Sequence, residues 1–163
     1  MEAPRFIVDQ NVGKLVRWLR MMGYDSLYFG GADDNDMITT ALAEDRIILT
    51  RDTRIMQRRL VTSGQLKALL IDYERSQEQI RQVIARFKLD TNYRPFSRCL
   101  ECNRSLVERT KEEVEWKVPP YVFKTQQQYM QCPACNRIYW RGSHWQAMTY
   151  RLEQLAALPG KED

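Results

Sequence analysis

Residues 5–29 read RFIVDQNVGKLVRWLRMMGYDSLYF, and the apolar period changes twice along them. Arg5 to Val8 is a short apolar run closed by Asp9, too brief for a helix and bounded like a buried strand. From Asn11 the apolar positions Val12, Leu15, Val16, Leu19 and Met22 recur at the spacing of one helix face. Gly23 then supplies the residue that a left-handed C-terminal cap requires. Leu27 to Phe29 is a second short run, so the stretch spells strand, helix, strand.

The same alternation continues downstream. Asp33 to Asp36 offer N-cap residues for a helix carrying Met37, Ile38, Ala41 and Leu42, and Ile47 to Thr50 is a third strand. Thr53 to Val61 is expected to be a helix with Ile55, Met56 and Leu60 inward. Ala68 to Ile71 is a fourth strand ending at Asp72. Ser76 and Gln79 fit a capping box that opens a helix with Ile80, Val83, Ile84 and Phe87 on one face. Strands that read as unbroken apolar runs are covered on both faces by helices, so residues 1–90 are expected to form an α/β domain with a doubly wound parallel sheet.

Near residue 90 the composition shifts. Residues 89–98, LDTNYRPFSR, have the proline, asparagine and serine of a linker. Residues 91–163 are expected to hold this linker, a cysteine-bearing ribbon, and a final helix from Ser143 with Trp145, Met148, Leu152 and Leu155, running out at Pro159.

Composition narrows the function classes. With 163 residues, 44% hydrophobic and 28% charged, the chain is globular, and it lacks the apolar run of about 20 residues that crosses a bilayer. The start MEAPRFIVDQ has neither the basic opening nor the apolar length of a signal peptide, so a cytoplasmic protein without a membrane partner is expected. A single histidine, His144, excludes paired-imidazole catalysis and HExxH zinc sites, leaving carboxylates with a metal, or a thiol. His144 and Trp145 themselves read as helix-start residues. The net charge of +4 splits as 14 Lys/Arg to 13 Asp/Glu over residues 1–90 and 11 to 8 over 91–163. That balance does not identify a partner.

Cys99-Leu-Glu-Cys102 and Cys132-Pro-Ala-Cys135 are two CxxC pairs separated by 29 residues. Two such turns bring four thiolates around one Zn²⁺, and the segment between them can run out and back as hairpin strands with a loop around Lys117 to Tyr121. Four cysteines leave no open position for water, so the zinc is expected to be structural. Lys111, Lys117, Lys124, Arg137 and Arg141 are interleaved with Trp116, Tyr121, Phe123, Tyr129, Tyr139 and Trp140. The mixture suits phosphate contacts with base-stacking platforms, or aromatics that pack the ribbon.

Acids recur where a parallel sheet gathers its functional groups, at the carboxyl ends of the strands. Asp9 follows strand one, Asp52 strand three and Asp72 strand four, while Asp33, Asp34 and Asp36 open the second helix. One strand-end aspartate is commonly an N-cap. Several converging on one edge repel, and a divalent cation relieves the repulsion. Mg²⁺ or Mn²⁺ held by carboxylates suits phosphodiester hydrolysis.

The opening stretch, DDNDMITTALAEDRIILTRDTRIMQRR at residues 33–59, CLECN and CPACN together resemble the PIN-like ribonuclease family named for the C-terminal domain of the Mut-seven exoribonuclease. The resemblance spans residues 5–142. It implies a metal-dependent ribonuclease with an acidic site on a doubly wound sheet and an appended zinc ribbon. By matching motifs it places catalytic acids at Asp9, Asp34 and Asp52, the last in the Thr-Arg-Asp motif. Asp36 and Asp72 are possible additional acids, and Thr50 is a candidate to orient a carboxylate. Arg51, Arg54, Arg58 and Arg59, with Lys14, Arg17 and Arg20 on the first helix, read either as RNA-phosphate contacts or as solvated helix faces. Lys117, Lys124 and Arg137 are the ribbon's candidates for RNA binding. No small-molecule cofactor is expected, and the oligomeric state is not encoded in the pattern.

Two rival functions use the same elements. A phospho-receiver also has acids after strands one and three, which Asp9 and Asp52 satisfy, yet it needs an acidic pair after strand one, where Gln10 and Asn11 stand, and a lysine after a fifth strand. A non-catalytic RNA-binding or assembly module would keep the fold and the ribbon without hydrolysis.

Overall fold

In the computed structural model, which describes residues 2–158, Arg5–Asp9 forms β1. A 3-10 turn (Gln10–Val12) follows, then α1 (Leu15–Met22). The helix expected from Asn11 therefore starts one turn later. The Asp9 carboxylate accepts from the Gln10 N–H and tightens this first turn. Next come β2 (Ser26–Phe29), α2 (Asp34–Glu44), β3 (Arg46–Thr50), the short helices α3 (Thr53–Met56) and α4 (Arg59–Thr62), β4 (Ala68–Leu70) and α5 (Ser76–Phe87). The single helix expected over residues 53–61 is broken at Arg58, whose extended backbone (ψ 141°) starts α4 while its guanidinium donates to Asn35 Oδ1.

The four strands form one parallel sheet in the order β2-β1-β3-β4. Alternate residues serve opposite faces, as the strand period of two dictates. Phe6, Val8, Ile47 and Leu49 enter one core with α1 and α5, and Ile7 and Ile48 enter another with Met37, Ile38 and Ala41 of α2 and Ile55 of α3. From β1 the chain turns to β2 on one side, then crosses to β3 on the other. Ligand crevices open outside the carboxyl ends of the strands at such a reversal.

Two local expectations give way to longer-range contacts. Arg75, not Ser76, is the N-cap of α5, so the capping box does not form. Gln79 is buried instead, and its Nε2 donates to the carbonyls of Tyr73 (2.9 Å) and Glu74 (3.2 Å). Residues 89–98, for all their linker composition, lie packed against α1. Tyr93 stacks on Tyr24 at 4.9 Å, and Arg94 N–H donates to Met22 O at 2.9 Å. Gly23 (φ 99°) passes so close that a Cβ there would sit 2.4 Å from the Arg94 carbonyl oxygen.

Beyond this strap lies a second, antiparallel sheet of β5 (Val107–Arg109), β6 (Tyr129–Gln131) and β7 (Ile138–Tyr139). The loop expected near Lys117 to Tyr121 is instead a connection built from α6 (Lys111–Val114), capped by a Thr110/Glu113 box, and α7 (Pro120–Thr125). Val114, Val118 and Tyr129 make its small core. The last helix, α8 (Ser143–Ala157), returns to the parallel sheet and inserts Trp145, Leu152 and Leu155 into the core shared with α1 and α5. Pro159 lies outside the described residues. No described helix is long and apolar enough to cross a membrane.

Candidate active edge and four-thiol centre

Asp9 ends β1 at the reversal of strand order and is only 6% exposed. Three donors fix its carboxylate: the Gln10 N–H at 2.8 Å, Asn11 Nδ2 at 3.3 Å and the Thr50 hydroxyl at 2.8 Å. Thr50 Oγ1 in turn accepts from the Asp52 N–H at 3.0 Å, and Asn11 Oδ1 accepts from the Arg51 N–H at 3.2 Å. The ends of β1 and β3 are thus knitted together around one buried carboxylate. Asn11 escapes a sequence reading because its role depends on a strand 40 residues away.

Asp52 caps α3 through the Arg54 N–H (2.9 Å) and is paired with the Arg54 guanidinium at 3.2 Å. These bonds hold its carboxyl below the ordinary aspartate range. Arg54 is 82% exposed, so this lid over Asp52 is displaceable. Its own pKa is raised first by Asp52 and also by the charge of Asp34, which puts Asp34 within electrostatic reach of the pair. Asp33 is the N-cap of α2, and Asp34 and Asp36 lie in its first turn, where the helix dipole favours anions. Asp72 follows β4 and is engaged by Gln82 of α5, which accepts from its N–H and donates to its carboxylate, both at 2.9 Å. Among the described residues, no three carboxylates bring their oxygens within 4.8 Å of one another.

The cysteines do converge. The Sγ atoms of Cys99, Cys102, Cys132 and Cys135 all lie within 4.8 Å of one another, and Cys99 and Cys135 are 3.7 Å apart. Zn–S bonds of about 2.3 Å in a tetrahedron require sulfurs about 3.8 Å apart, so the cluster fits the ion. Both turns close alike. Cys99 N–H donates to Arg104 O and Cys132 N–H to Arg137 O, while the asparagine after each pair, Asn103 (φ 65°) and Asn136 (φ 64°), takes the left-handed conformation. Burial opposes ionisation of Cys99, but the Tyr139 hydroxyl and nearby N–H groups outweigh it and bring the thiol down to about 7. Crowding by Cys135 and the other thiols pushes Cys102 up to about 12. A thiolate at Cys99 makes its neighbour Cys102 harder to ionise, and a divalent cation relieves that crowding of charge.

The model of the Mut7-C RNAse domain matches residues 4–152, nearly the whole chain. The chain belongs to this family. No curated protein and no solved structure matches it. As a Mut7-C domain it carries a nuclease or RNA-related function, with RNA as substrate or partner.

Within this Mut7-C domain the basic candidates separate by burial. Arg20, expected on the exposed side of α1, is buried and donates to Ser26 O and Leu100 O, both at 2.9 Å. It clamps the first cysteine turn to β2, with Nε and Nη1 committed to those carbonyls. Asn103 joins the same seam, donating to Asp25 Oδ1 and accepting from the Ser26 N–H. Arg17 is half exposed in a 3.4 Å pair with Glu101. Arg51 reaches back to Ile71 O at 3.3 Å, while Arg54, Arg58, Arg59 and Lys14 face solvent. On the ribbon, Lys117 and Arg137 line a concavity of about 730 Å³, and Lys124 is exposed on α7. Of the ribbon aromatics, Tyr129 is core and Tyr139 serves the thiols, whereas Trp116 (91% exposed) and Tyr121 stand in solvent.

Proposed function

We propose that the chain is a metal-dependent ribonuclease with a PIN-like site, hydrolysing single-stranded RNA with Asp9, Asp34 and Asp52 as holders of Mg²⁺ or Mn²⁺. The observation that carries this is the junction at the strand-order reversal, where Thr50 bridges the Asp9 carboxylate and the Asp52 backbone. The donor set is all carboxylate oxygen, the ligand type that suits a hard cation such as Mg²⁺ or Mn²⁺. Bound there, the ion supplies an acidified water and neutralises charge building on the phosphate.

The chain's own contribution is positional. Asp9 is held rigid by its three donors, so it anchors, while Asp34 and Asp52 approach from helix starts. Arg54 neutralises Asp52 as an ion pair and can swing to an RNA phosphate when the carboxylate is engaged elsewhere. Arg51, Arg58 and Arg17 flank the edge. Lys117, Lys124 and Arg137, beside Trp116 and Tyr121, form a second basic and aromatic surface on the ribbon, where a structural Zn²⁺ holds the turns. Asp36 and Asp72 are accessory acids at most, since one faces solvent at the helix start and the other is engaged by Gln82.

Cleavage of labelled single-stranded RNA with Mn²⁺, comparing wild type with Asp9→Asn and Asp52→Asn, tests the proposal. Metal-dependent cleavage lost in both variants supports it. Equal cleavage by all three overturns it as contaminant activity. RNA binding without cleavage by any of them identifies a non-catalytic RNA-binding module.

A further inference from the structure

Tyr28 is 54% exposed although it lies inside β2, paired with Val8 one residue before the Asp9–Phe29 pair. An exposed tyrosine is ordinary, but this one is held. A Cβ built on Gly13 would meet its Cε2 at 3.0 Å, and one built on Gly30 would meet its Cε1 at 3.0 Å. The ring therefore stands between two glycine backbones that approach from opposite edges, and neither glycine has a positive φ that would account for it otherwise. Those contacts restrict rotation and leave ring surface to solvent. The ring borders a cavity of about 670 Å³ that also includes Gln10 and Asn11, which bond Asp9, and the cations Lys14 and Arg17. Glu74 and Glu101 line it too, and Arg17 is already paired with Glu101, so charge alone does not define the ligand.

We infer that Tyr28 is a nucleobase-stacking platform: it receives one unpaired base of the RNA next to the phosphate presented to the Asp9 edge, with Lys14 on the backbone of the same nucleotide. The inference rests on the ribonuclease function proposed above and names a specificity-determining residue for it. A pre-positioned ring loses little freedom on stacking, and any base has a face to offer. A base inside a duplex does not, so the platform selects single strands. The two glycines act through the ring, as positioning residues.

The test uses the full chain with an RNA oligonucleotide in which each position in turn is made abasic. One position is expected to raise KM about tenfold for the wild type, within the range of a lost base–aromatic stack. Tyr28→Leu should show the same tenfold loss on intact RNA, with kcat within about twofold and unchanged melting, and no further loss at that abasic position. Tyr28→Phe should retain wild-type KM. Gly30→Ala, which displaces the ring without removing it, should lose part of the effect. Wild-type KM in Tyr28→Leu, or additive losses with the abasic site, overturns the platform while leaving the ribonuclease function standing. A wild type that neither binds nor cleaves RNA overturns both.

Discussion

The Thr50 hydroxyl donates to Asp9 Oδ2 at 2.8 Å across the β1–β3 pair, and both residues are buried. The same oxygen accepts from the Asp52 N–H, so one side chain sets two candidate catalytic positions at once. Thr50→Val is expected to cost about 2 kcal/mol of stability, the worth of a hydrogen bond to a charged group. It should also reduce RNA cleavage at least tenfold, because Asp9 loses its tie to β3. Thr50→Ser keeps the hydroxyl and should retain most of both. Urea denaturation and single-turnover cleavage read the two effects; a valine variant with wild-type stability and activity would remove Thr50 from the site.

Arg17 and Arg20 stand three residues apart on α1 and are expected to behave oppositely. Arg20→Ala strips the donors from two carbonyls at the seam between α1, β2 and the first cysteine turn, at a cost of about 3 kcal/mol. Arg17→Ala removes an exposed pair with Glu101 worth about 0–1 kcal/mol, so its stability should barely change while RNA affinity falls. Thermal melts with salt-titrated RNA binding separate them. An Arg20→Ala protein with normal melting and weakened RNA binding would restore Arg20 to the RNA surface.

The contrast between these two arginines shows where a sequence stops being informative. β1, the Gly23 cap, α2 and the Thr-Arg-Asp strand were legible because each is set by local periodicity or by a cap within a few residues. So was the cysteine quartet, since CxxC spacing carries its own geometry. Arg20 is not legible locally because Leu100, some 80 residues on, covers what α1 alone presents as a solvent face. Gln79 and residues 89–98 follow the same rule: polar and proline-rich segments look like caps and linkers until a distant surface covers them. Asp9 and Asp52 were found as acids after strands, but the hydroxyl bridge between them is a property of strand register.

Asp25 predicts an acid-sensitive seam. Burial works against its ionisation, but hydrogen bonds from Arg46 and Asn103 prevail and hold its pKa below the usual value. A depressed folded pKa adds stability that is present above the unfolded value, about 3.9, and is lost as pH falls through the folded one. Asp25→Asn should therefore cost about 2 kcal/mol at pH 7 by weakening the pair with the buried Arg46. The gap between variant and wild type should begin to narrow below about pH 4 and close only as pH falls through the lower folded value. Denaturant midpoints across pH 3 to 7 test this, and a gap that stays constant over the range would show that the charge of Asp25 contributes nothing.

The two cysteine turns are unequally anchored, and metal removal should reveal it. The first is tied to the parallel-sheet unit, at α1 and the start of β2, by Arg20 to Leu100 O, by Arg98 to Gly23 O and by Asn103 to Asp25 and Ser26. The second reaches it through Tyr139, whose hydroxyl meets Cys99 Sγ at 3.2 Å and accepts from the Leu100 N–H at 3.1 Å, and through the shared thiol cluster. The purified chain should carry one zinc. Chelation should lower the melting temperature and raise amide exchange at Cys132 to Tyr139 well before Cys99 to Asn103, whose bonds to the sheet do not depend on the ion. Cys132→Ser should bind zinc poorly and show the same uneven pattern without a chelator. Equal loss of protection in both turns would mean that the ion, not the Arg20 and Asn103 seam, holds the first turn to the sheet. A zinc-free chain with unchanged melting would remove the structural role of the metal altogether.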